Sequence, residues 1–338
     1  MTDNGGTQGV QVFNAGMRGR KGNIYDGGHR VPCFVHWPAG GLRKGEDITS
    51  LNANFDALPT LVDLCGLKLP RNVDFDGRSF RVQLLDAKAE TPERTLFVEL
   101  QRGFKSEKWR GAVGITSRWR LVDNKQLYDI KADPGQTNDV IADHPDVVAT
   151  IRQEFESYWA KVTPGDRDRA EFIVGDDRDP ETFLSASDWY LPKNPPWNHV
   201  EVAGGHPASG DWMIRAATTR MYHFEVRRWP READAELAGL PEIHKTLDAW
   251  DSHGPKPGLI YGNTKTQFKM LPVAAVRLTV DGKPQTLPAA SGAKEVSFDI
   301  KLTTDRCYSV QAELLDSSGQ LIAGGYYVYS RKRANDLQ

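Results

Sequence analysis

Short apolar segments separated by turn sequences fill the C-terminal half of the chain, and they constrain its fold most strongly. Within each segment apolar and polar residues alternate, as they do in a strand with one buried face. Asp281-Gly282 and Ser317-Ser318-Gly319 have the composition of hairpin turns. The strand-like segments are 212–216, 222–227, 276–280, 296–300, 308–314 and 326–329. Their spacing predicts a β-sandwich of jelly-roll type over residues 181–338.

Residues 93–164 have a different pattern, which indicates a small sheet followed by a helix. Four strand-like segments lie at 96–100, 112–115, 119–122 and 126–129. From Pro145 onward, apolar residues recur every three or four positions, and a proline suits the first turn of a helix. The helix is expected to bury Val148, Ile151, Phe155 and Tyr158. The charged stretch 165–180 reads as a linker, because it has few apolar residues.

Residues 1–92 combine turns with one clear helix. Asp56 can cap that helix, Pro59 lies in its first turn and Gly66 can end it. One face carries the apolar residues and is expected to be packed: Leu58, Leu61, Val62 and Cys65.

Composition excludes several classes of function. The 338 residues, with 39% hydrophobic and 26% charged content, suit two or three globular modules. A net charge of −2 gives no basic footprint for nucleic acid. No apolar run approaches the length of a membrane span, and the first residues lack the pattern of a signal peptide. The three cysteines are too few and too scattered for a disulfide framework.

The chemistry-bearing residues are concentrated at the start of the chain. Asp3-Asn4-Gly5 offers carboxylate and amide oxygens, which suit a hard cation such as Ca²⁺ or Mg²⁺. Lys21 lies in a glycine-flanked loop, where small neighbours let an anion approach the backbone. On chemistry alone, an ordinary turn and a solvated lysine remain the commoner reading.

These residues, together with the segment Tyr25-Asp26-Gly27-Gly28-His29-Arg30-Val31-Pro32, resemble the sulfatase family of the alkaline-phosphatase-like superfamily. The segments 56–66, 76–80 and 126–138 extend the resemblance. It implies that Asp3 and Asn4 bind Ca²⁺ and that Lys21 contacts the sulfate. His29 is a weaker candidate for substrate contact. Two departures are visible: Arg20 stands where the family commonly has glycine, and Asp26 where it commonly has glutamate.

The resemblance also implies an α+β protein made of parts of a sulfatase. Residues 1–92 would belong to a truncated α/β catalytic domain, 93–164 to the four-stranded antiparallel subdomain, and 181–338 to an accessory sandwich. Sulfatases convert a cysteine in Cys-x-Pro-x-Arg to formylglycine, the nucleophile; none of Cys33, Cys65 and Cys307 has that context. We therefore expect a chain that starts partway through the catalytic domain, at an internal methionine, and that is inactive alone. The family suggests a periplasmic or secreted protein.

Several functions remain open at this stage. The leading hypothesis is a fragment of a sulfuric ester hydrolase of aryl or carbohydrate sulfates. A further reading is complementation, in which a separate chain supplies the missing N-terminal half. A phosphodiester or phosphonate ester hydrolase is the nearest enzymatic alternative. A glycan-binding protein is the other alternative, with Trp197 and Trp229 stacking on sugars and Arg227 and Arg228 pairing with anionic groups. These tryptophans also suit the core of the sandwich, and the arginines a capping cluster.

Overall fold

The computed structural model describes residues 1–101, 106–163, 170–191, 195–196, 199–242 and 268–333. These residues form two compact units, one ending at residue 163 and one starting at residue 170. Within the described part of the chain, no helix combines the length and the apolar character that a bilayer crossing requires.

The first unit contains short helices followed by one sheet and one long helix. Residues 1–92 are all described and contain turns, helices and no strand. The helices are α1 (Asp26–His29), α2 (Ala57–Leu64), α3 (Arg81–Leu85) and α4 (Pro145–Val162), with 3-10 turns at Pro38–Gly40 and Asn54–Asp56. The strands are β1 (Leu96–Glu99), β2 (Ala112–Ile115), β3 (Trp119–Val122) and β4 (Gln126–Asp129).

The four strands form an antiparallel meander in the order β1-β2-β3-β4, and both of its faces are buried. Leu121 and Leu127 face α4 and pack with Val148 and Ile151. The opposite face carries Val113, Val122 and Tyr128, and it packs against Ile24 from the loop before α1. This alternation along β3 and β4 confirms the predicted strands and the predicted helix. It also shows that the N-terminal loops complete the core of the sheet.

A buried ion pair joins those loops to the sheet. The Arg120 guanidinium on β3 donates to the Asp26 carboxylate through Nε at 2.7 Å, and both residues are almost fully buried. Arg120 also donates through Nη1 to the carbonyls of Thr116 and Trp119. The pair lies on the same side of β3 as Val122, so it fixes α1 against the loop-facing side of the sheet.

A second buried carboxylate organises residues 53–94. Asp56 accepts a bidentate interaction from the Arg94 guanidinium and hydrogen bonds from the backbone N–H groups of Arg78 and Ala53. Burial alone would raise the pKa of Asp56, but these hydrogen bonds and the Arg94 charge outweigh it and lower the pKa. Asp56 therefore links three chain segments and does not cap α2 with its side chain.

The helix predicted around residues 56–66 forms, but its apolar face is exposed. Leu67 N–H donates to Val62 O and Gly66 N–H to Asp63 O, the two bonds of a Schellman C-cap, with Gly66 at φ +58°. Leu58 and Leu61 are 57% and 53% exposed. The expectation that this face is packed is therefore wrong for the described residues, because Pro59 and Thr60 face the protein instead.

The second unit is a sandwich of two sheets. Its helices are α5 (His199–Ala203) and the 3-10 turns Ala186–Asp188 and Arg231–Ala233. Its strands are β5 (Phe172–Val174), β6 (Glu181–Ser185), β7 (Trp212–Ala216), β8 (Arg220–Arg227), β9 (Ala275–Val280), β10 (Lys283–Pro288), β11 (Val296–Leu302), β12 (Cys307–Leu315), β13 (Leu321–Gly324) and β14 (Tyr327–Lys332). One sheet has the order β10-β9-β12-β7-β5 with β13 beside β12, and the other has the order β11-β8-β14-β6.

A single core fills the space between the two sheets. Trp212, Phe224 and Val328 are fully buried in it, together with side chains of the facing strands. All six predicted strand segments are present, some with bounds shifted by one to three residues. Two features differ from the prediction: β5 lies inside the stretch read as a linker, and it pairs with β7 in parallel. That parallel pair departs from the all-antiparallel pattern of a jelly roll.

We expect Asp26→Ala to lower the free energy of unfolding of the first unit by about 3–5 kcal/mol, because it leaves the Arg120 charge buried without a partner. In the double variant Asp26→Ala/Arg120→Met the loss is expected to be smaller than the sum of the single losses. Urea denaturation followed by tryptophan fluorescence measures both. Additive losses would show that the two side chains do not stabilise each other.

The lowered pKa of Asp56 predicts a pH-dependent stability. The ionised form is favoured in the folded state, so its contribution is full above the ordinary pKa of 3.8 and is lost as the pH falls through the lowered value. We expect Asp56→Asn to be less stable than the wild type at pH 7 and to approach it below pH ~3. The exposed Asp63 offers a control, Asp63→Asn, whose stability difference is expected to stay small. A constant difference for Asp56→Asn between pH 7 and 3 contradicts this assignment.

Candidate functional site

Three N-terminal segments are drawn together by backbone hydrogen bonds, and we call residues 4–6, 18–21 and 26–29 the loop cluster. Gly5 N–H donates to Gly28 O at 3.0 Å, and Gly27 N–H donates to Arg18 O at 2.8 Å. Lys21 N–H donates to Gly6 O at 2.9 Å. The structure therefore places the backbone of Lys21 directly beside the turn that follows Asp3 and Asn4.

The loop cluster requires glycine where its backbones meet. A Cβ atom on Gly5 would lie 1.9 Å from the carbonyl oxygen of Gly27, and one on Gly28 would lie 2.0 Å from the carbonyl oxygen of Asn23. Neither contact can be relieved by a rotamer change, because both neighbours are main-chain atoms. The glycines seen in the sequence thus set how closely the three segments approach.

Residues of β4 and of the segment after it form hydrogen bonds with the loop cluster. Arg18 Nη1 donates to Tyr128 Oη at 3.1 Å and to Gln136 O at 2.9 Å, and its guanidinium stacks 3.9 Å from the centre of the Tyr25 ring. Gln136 is fully buried, and its Oε1 accepts from Asp26 N–H at 2.8 Å. The segment after β4 therefore clamps both Arg18 and the first residue of α1.

Lys21 is exposed, and its ammonium group makes no ion pair with any residue in the described ranges. Its neighbour Arg20 is also exposed, and Arg20 N–H is held by the Asn23 side chain at 3.0 Å. A lysine with a fixed backbone and a free side chain can reach an anion without first breaking an ion pair. The placement of Lys21 is compatible with the predicted contact to sulfate, which stays a prediction.

Asp3 and Asn4 lie at the edge of the loop cluster, exposed and half-buried respectively. Asn4 Nδ2 donates to the Asp3 carboxylate, so the two side chains are in contact. Their oxygen donors suit Ca²⁺, but Ca²⁺ takes six to eight oxygen ligands. Among the described residues, no group of three or more His, Cys, Asp or Glu side chains could hold a metal ion. The prediction that Asp3 and Asn4 bind Ca²⁺ therefore stays a prediction.

His29 is turned into the loop cluster. Its Nε2 lies 3.3 Å from Ile24 O and 3.9 Å from Asp26 Oδ1, and the side chain is 13% exposed. Burial lowers the pKa of His29, and the Arg120 charge adds to this against the opposing effects of Asp26 and the Ile24 carbonyl. A neutral, mostly buried imidazole offers little attraction to a sulfate, so its predicted substrate contact gains no support from this placement.

The tryptophan prediction has to be corrected where the structure describes it. Trp229 is 3% exposed, and its Nε1 donates to Gly239 O at 3.1 Å, so no ring face is open for stacking on a sugar. Trp197 lies outside the described residues. A buried tryptophan ring stabilises a core through its large apolar surface. The alternative that Trp229 fills the core of the sandwich therefore describes its position.

The arginines beside Trp229 act within the protein. Arg228 is fully buried and donates to the carbonyls of Gly239, Val202, Ala203 and Lys269. Burial lowers its pKa to about 10. Arg227 donates to Glu225 at 2.8 Å and to Glu295 at 2.8 Å. The capping alternative therefore describes Arg228, and neither side chain is free to bind an anionic glycan.

Two cavities in the structure lie away from the loop cluster. One of about 280 Å³ is lined by Arg94, Trp119 and Glu154, and one of about 330 Å³ is lined by Leu237, Leu271 and Ala289 among others. Neither is lined by a residue of the loop cluster.

Sequence reasoning missed the residues that position the loop cluster: Arg18, Arg120, Tyr128 and Gln136. One signal was present. Arg120 stands between Trp119 and Leu121 in an otherwise apolar strand, and a charged residue there implies a buried partner. Gln136 has polar neighbours in the sequence, so nothing there indicates that its side chain is buried. In the structure it lies in a turn at φ +51°.

A family model agrees with this part of the chain. Residues 20–161 match the model described as N-sulphoglucosamine sulphohydrolase, C-terminal. The match spans α1 to α4 and the whole four-stranded sheet, so it includes Lys21, Asp26, Arg120 and Gln136.

Three relatives carry sulfatase names. Steryl-sulfatase of Rattus norvegicus is 32% identical over 106 residues, which cover 31% of this chain and 17% of that protein. Arylsulfatase G of Mus musculus is 38% identical over 77 residues, covering 23% and 14%. The N-acetylgalactosamine-6-O-sulfatase of Bacteroides thetaiotaomicron is 28% identical over 151 residues, covering 41% and 29%.

The chain spans less than a third of the length of each of these relatives. Residues 20–161 of this chain are similar to the C-terminal portion of sulfatases.

Proposed function

We propose that this chain is the C-terminal part of a sulfuric ester hydrolase, and that its loop cluster presents Lys21 to the sulfate of an aryl or carbohydrate sulfate ester. One observation carries the proposal: the Lys21 N–H to Gly6 O bond holds an exposed lysine beside the Asp3-Asn4 turn. A cation in that position offsets negative charge that develops on the sulfate and on the leaving oxygen. Asp3 and Asn4 would contribute two ligands of a Ca²⁺ site whose other ligands lie in the catalytic portion.

The nucleophile has to come from elsewhere. None of the three cysteines is followed by x-Pro-x-Arg, so this sequence contains no site for formylglycine formation. Relatives with sulfatase names extend well beyond the matched region. We propose that a catalytic portion, whether joined to this chain or separate from it, supplies the nucleophile and the remaining walls of the active site.

The exposed apolar side chains of the first unit favour such a partner. Leu58 and Leu61 on α2 are more than half exposed, and Phe34 is 87% exposed. Most of the large exposed apolar side chains in the described residues lie within residues 1–85. Patches of this kind mark a surface that another part of a protein covers. We propose that the catalytic portion covers α2.

The activity proposal predicts a loss on substitution of Lys21. The chain is produced together with a sulfatase catalytic portion and a formylglycine-generating enzyme, and hydrolysis of p-nitrophenyl sulfate is measured. We expect Lys21→Ala to lower kcat/KM by about 100-fold, the scale for losing one group that stabilises an oxyanion. The chain without the catalytic portion is expected to be inactive.

Lys44→Ala is the matched control, because Lys44 is an exposed loop lysine of the same unit. Full activity of Lys21→Ala contradicts the role of Lys21. Turnover by the chain alone contradicts the need for an external nucleophile. Hydrolysis of bis-p-nitrophenyl phosphate in place of the sulfate ester would favour the phosphodiesterase alternative.

The surface proposal predicts a change in association. We expect the chain alone to self-associate through α2, and Leu58→Glu/Leu61→Glu to shift it to the monomer in size-exclusion chromatography with light scattering. The same variant is expected to lose binding to the catalytic portion. Leu287→Glu, at an exposed leucine of the second unit, is the control and is expected to change neither. If Leu58→Glu/Leu61→Glu still binds the catalytic portion, α2 is not the covered face.

A further inference from the structure

Arg20, Lys21, Gly22 and Asn23 form a closed turn at the edge of the loop cluster, and we call these four residues the cationic turn. Asn23 N–H donates to Arg20 O at 2.9 Å, which is the bond that closes a four-residue turn. Gly22 has φ +85°, whereas φ of Lys21 is not positive, and this pattern is that of a type II turn. Glycine suits the third position of such a turn because it adopts a positive φ without strain.

Further hydrogen bonds hold the main chain of the cationic turn. Asn23 Oδ1 accepts from Arg20 N–H at 3.0 Å, so the first and last residues of the turn are joined twice. Lys21 N–H donates to Gly6 O at 2.9 Å, which connects the turn to residues 4–6. The main chain of both cationic residues is therefore fixed before a ligand arrives, which lowers the entropy cost of binding.

The cationic turn carries two charges that the protein does not neutralise. Arg20 and Lys21 are both exposed, and neither makes an ion pair with a residue in the described ranges. Consecutive Cα atoms are about 3.8 Å apart, so the two side chains extend from the same small area of the surface. Like charges at such a short separation repel each other, and an anionic ligand relieves that repulsion.

The sequence around the turn supplies little negative charge. Residues 1–30 contain four arginines and lysines but two aspartates, in a chain whose net charge is −2. One of the aspartates, Asp26, is buried, accepts from Arg120 at 2.7 Å and lies 3.6 Å from Arg30. The other is Asp3, which is exposed. This part of the chain therefore has an excess of positive charge, which favours a ligand with more than one negative group.

We propose that Arg20 is a specificity-determining residue, and that the substrate is a sulfate ester with a second anionic group such as a carboxylate. A sulfate monoester carries one negative charge, which offsets one of the two cations, and the second group offsets the other. Lys21 would contact the sulfate. Arg20 would contact the carboxylate, because a planar guanidinium can donate two parallel hydrogen bonds to it. The identity of the sulfate ester rests on the proposed function, whereas binding of paired anions can be measured without hydrolysis.

Amide NMR titration of the full chain tests the proposal with sulfonates, which are not hydrolysed. The probes are 3-sulfobenzoate and 4-sulfobenzoate, each compared with its methyl ester, which lacks the carboxylate charge. At an ionic strength of about 0.15 M, we expect at least one acid to bind about threefold to fivefold more tightly than its ester. The largest amide shifts are expected in the cationic turn.

The variants separate the two cations. Arg20→Ala is expected to remove the preference for the acid, and Arg20→Lys, which keeps the charge, to retain part of it. Lys21→Ala is expected to weaken the binding of acid and ester alike. Arg71→Ala is the matched control, because Arg71 is another exposed arginine of the first unit, and it is expected to keep the wild-type preference. The amide spectrum of each variant also reports whether it is folded.

The inference is overturned if neither acid binds more tightly than its ester, or if Arg20→Ala keeps the wild-type preference. It is also overturned if the amide shifts lie outside the cationic turn, because the anions then bind elsewhere. Hydrolysis distinguishes this inference from the proposed function. If hydrolysis of p-nitrophenyl sulfate depends on Lys21 but the preference is absent, the role of Arg20 alone is wrong. If the preference is present but Lys21→Ala keeps full activity, the turn still binds paired anions and the role of Lys21 in hydrolysis is wrong.

Discussion

The ion pair between Asp26 and Arg120 is the interaction on which the rest of the first unit depends. Two buried charges must stay together, because either one alone would carry a large desolvation cost. Asp26 begins α1, and the glycines that follow it contact the turn after Asn4 and the loop before Lys21. The position of Lys21 is thus linked to a strand residue 99 positions later in sequence through one ion pair and a few main-chain bonds.

The two units differ in how completely they bury their apolar residues. The second unit closes a core between two sheets and leaves few large apolar side chains exposed among its described residues. The first unit builds a good core on both faces of its sheet but leaves α2 and the loops around Phe34 uncovered. Under the proposal that a catalytic portion covers α2, that portion would bury the apolar surface which the first unit leaves exposed.

Local patterns in the sequence predicted the elements, and long-range pairing decided their surroundings. The strands and α4 were predictable because alternation and helical spacing are properties of adjacent residues. The same spacing on α2 indicated a packed face but could not say whether a partner is present, so Leu58 and Leu61 were misjudged. Trp229 is open to two roles from its sequence context, because that context does not show whether distant parts of the chain bury the ring. Strand β5 is only three residues long, which is too short to show the alternation of a strand within a charged stretch.

Lys21 differs from several nearby guanidinium groups because its charge has no ion-pair partner among the described residues. Arg120 and Arg30 both reach Asp26, and Arg18 is held by Tyr128 and Gln136, so these guanidiniums already have partners. An incoming anion would have to displace those partners before it could bind there, at a cost comparable to the interaction it gains. Lys21 and its neighbour Arg20 carry no such cost within the described residues. Under the proposed function, an incoming anion would therefore contact Lys21 and Arg20 first, because their charges need no partner displaced within the described residues.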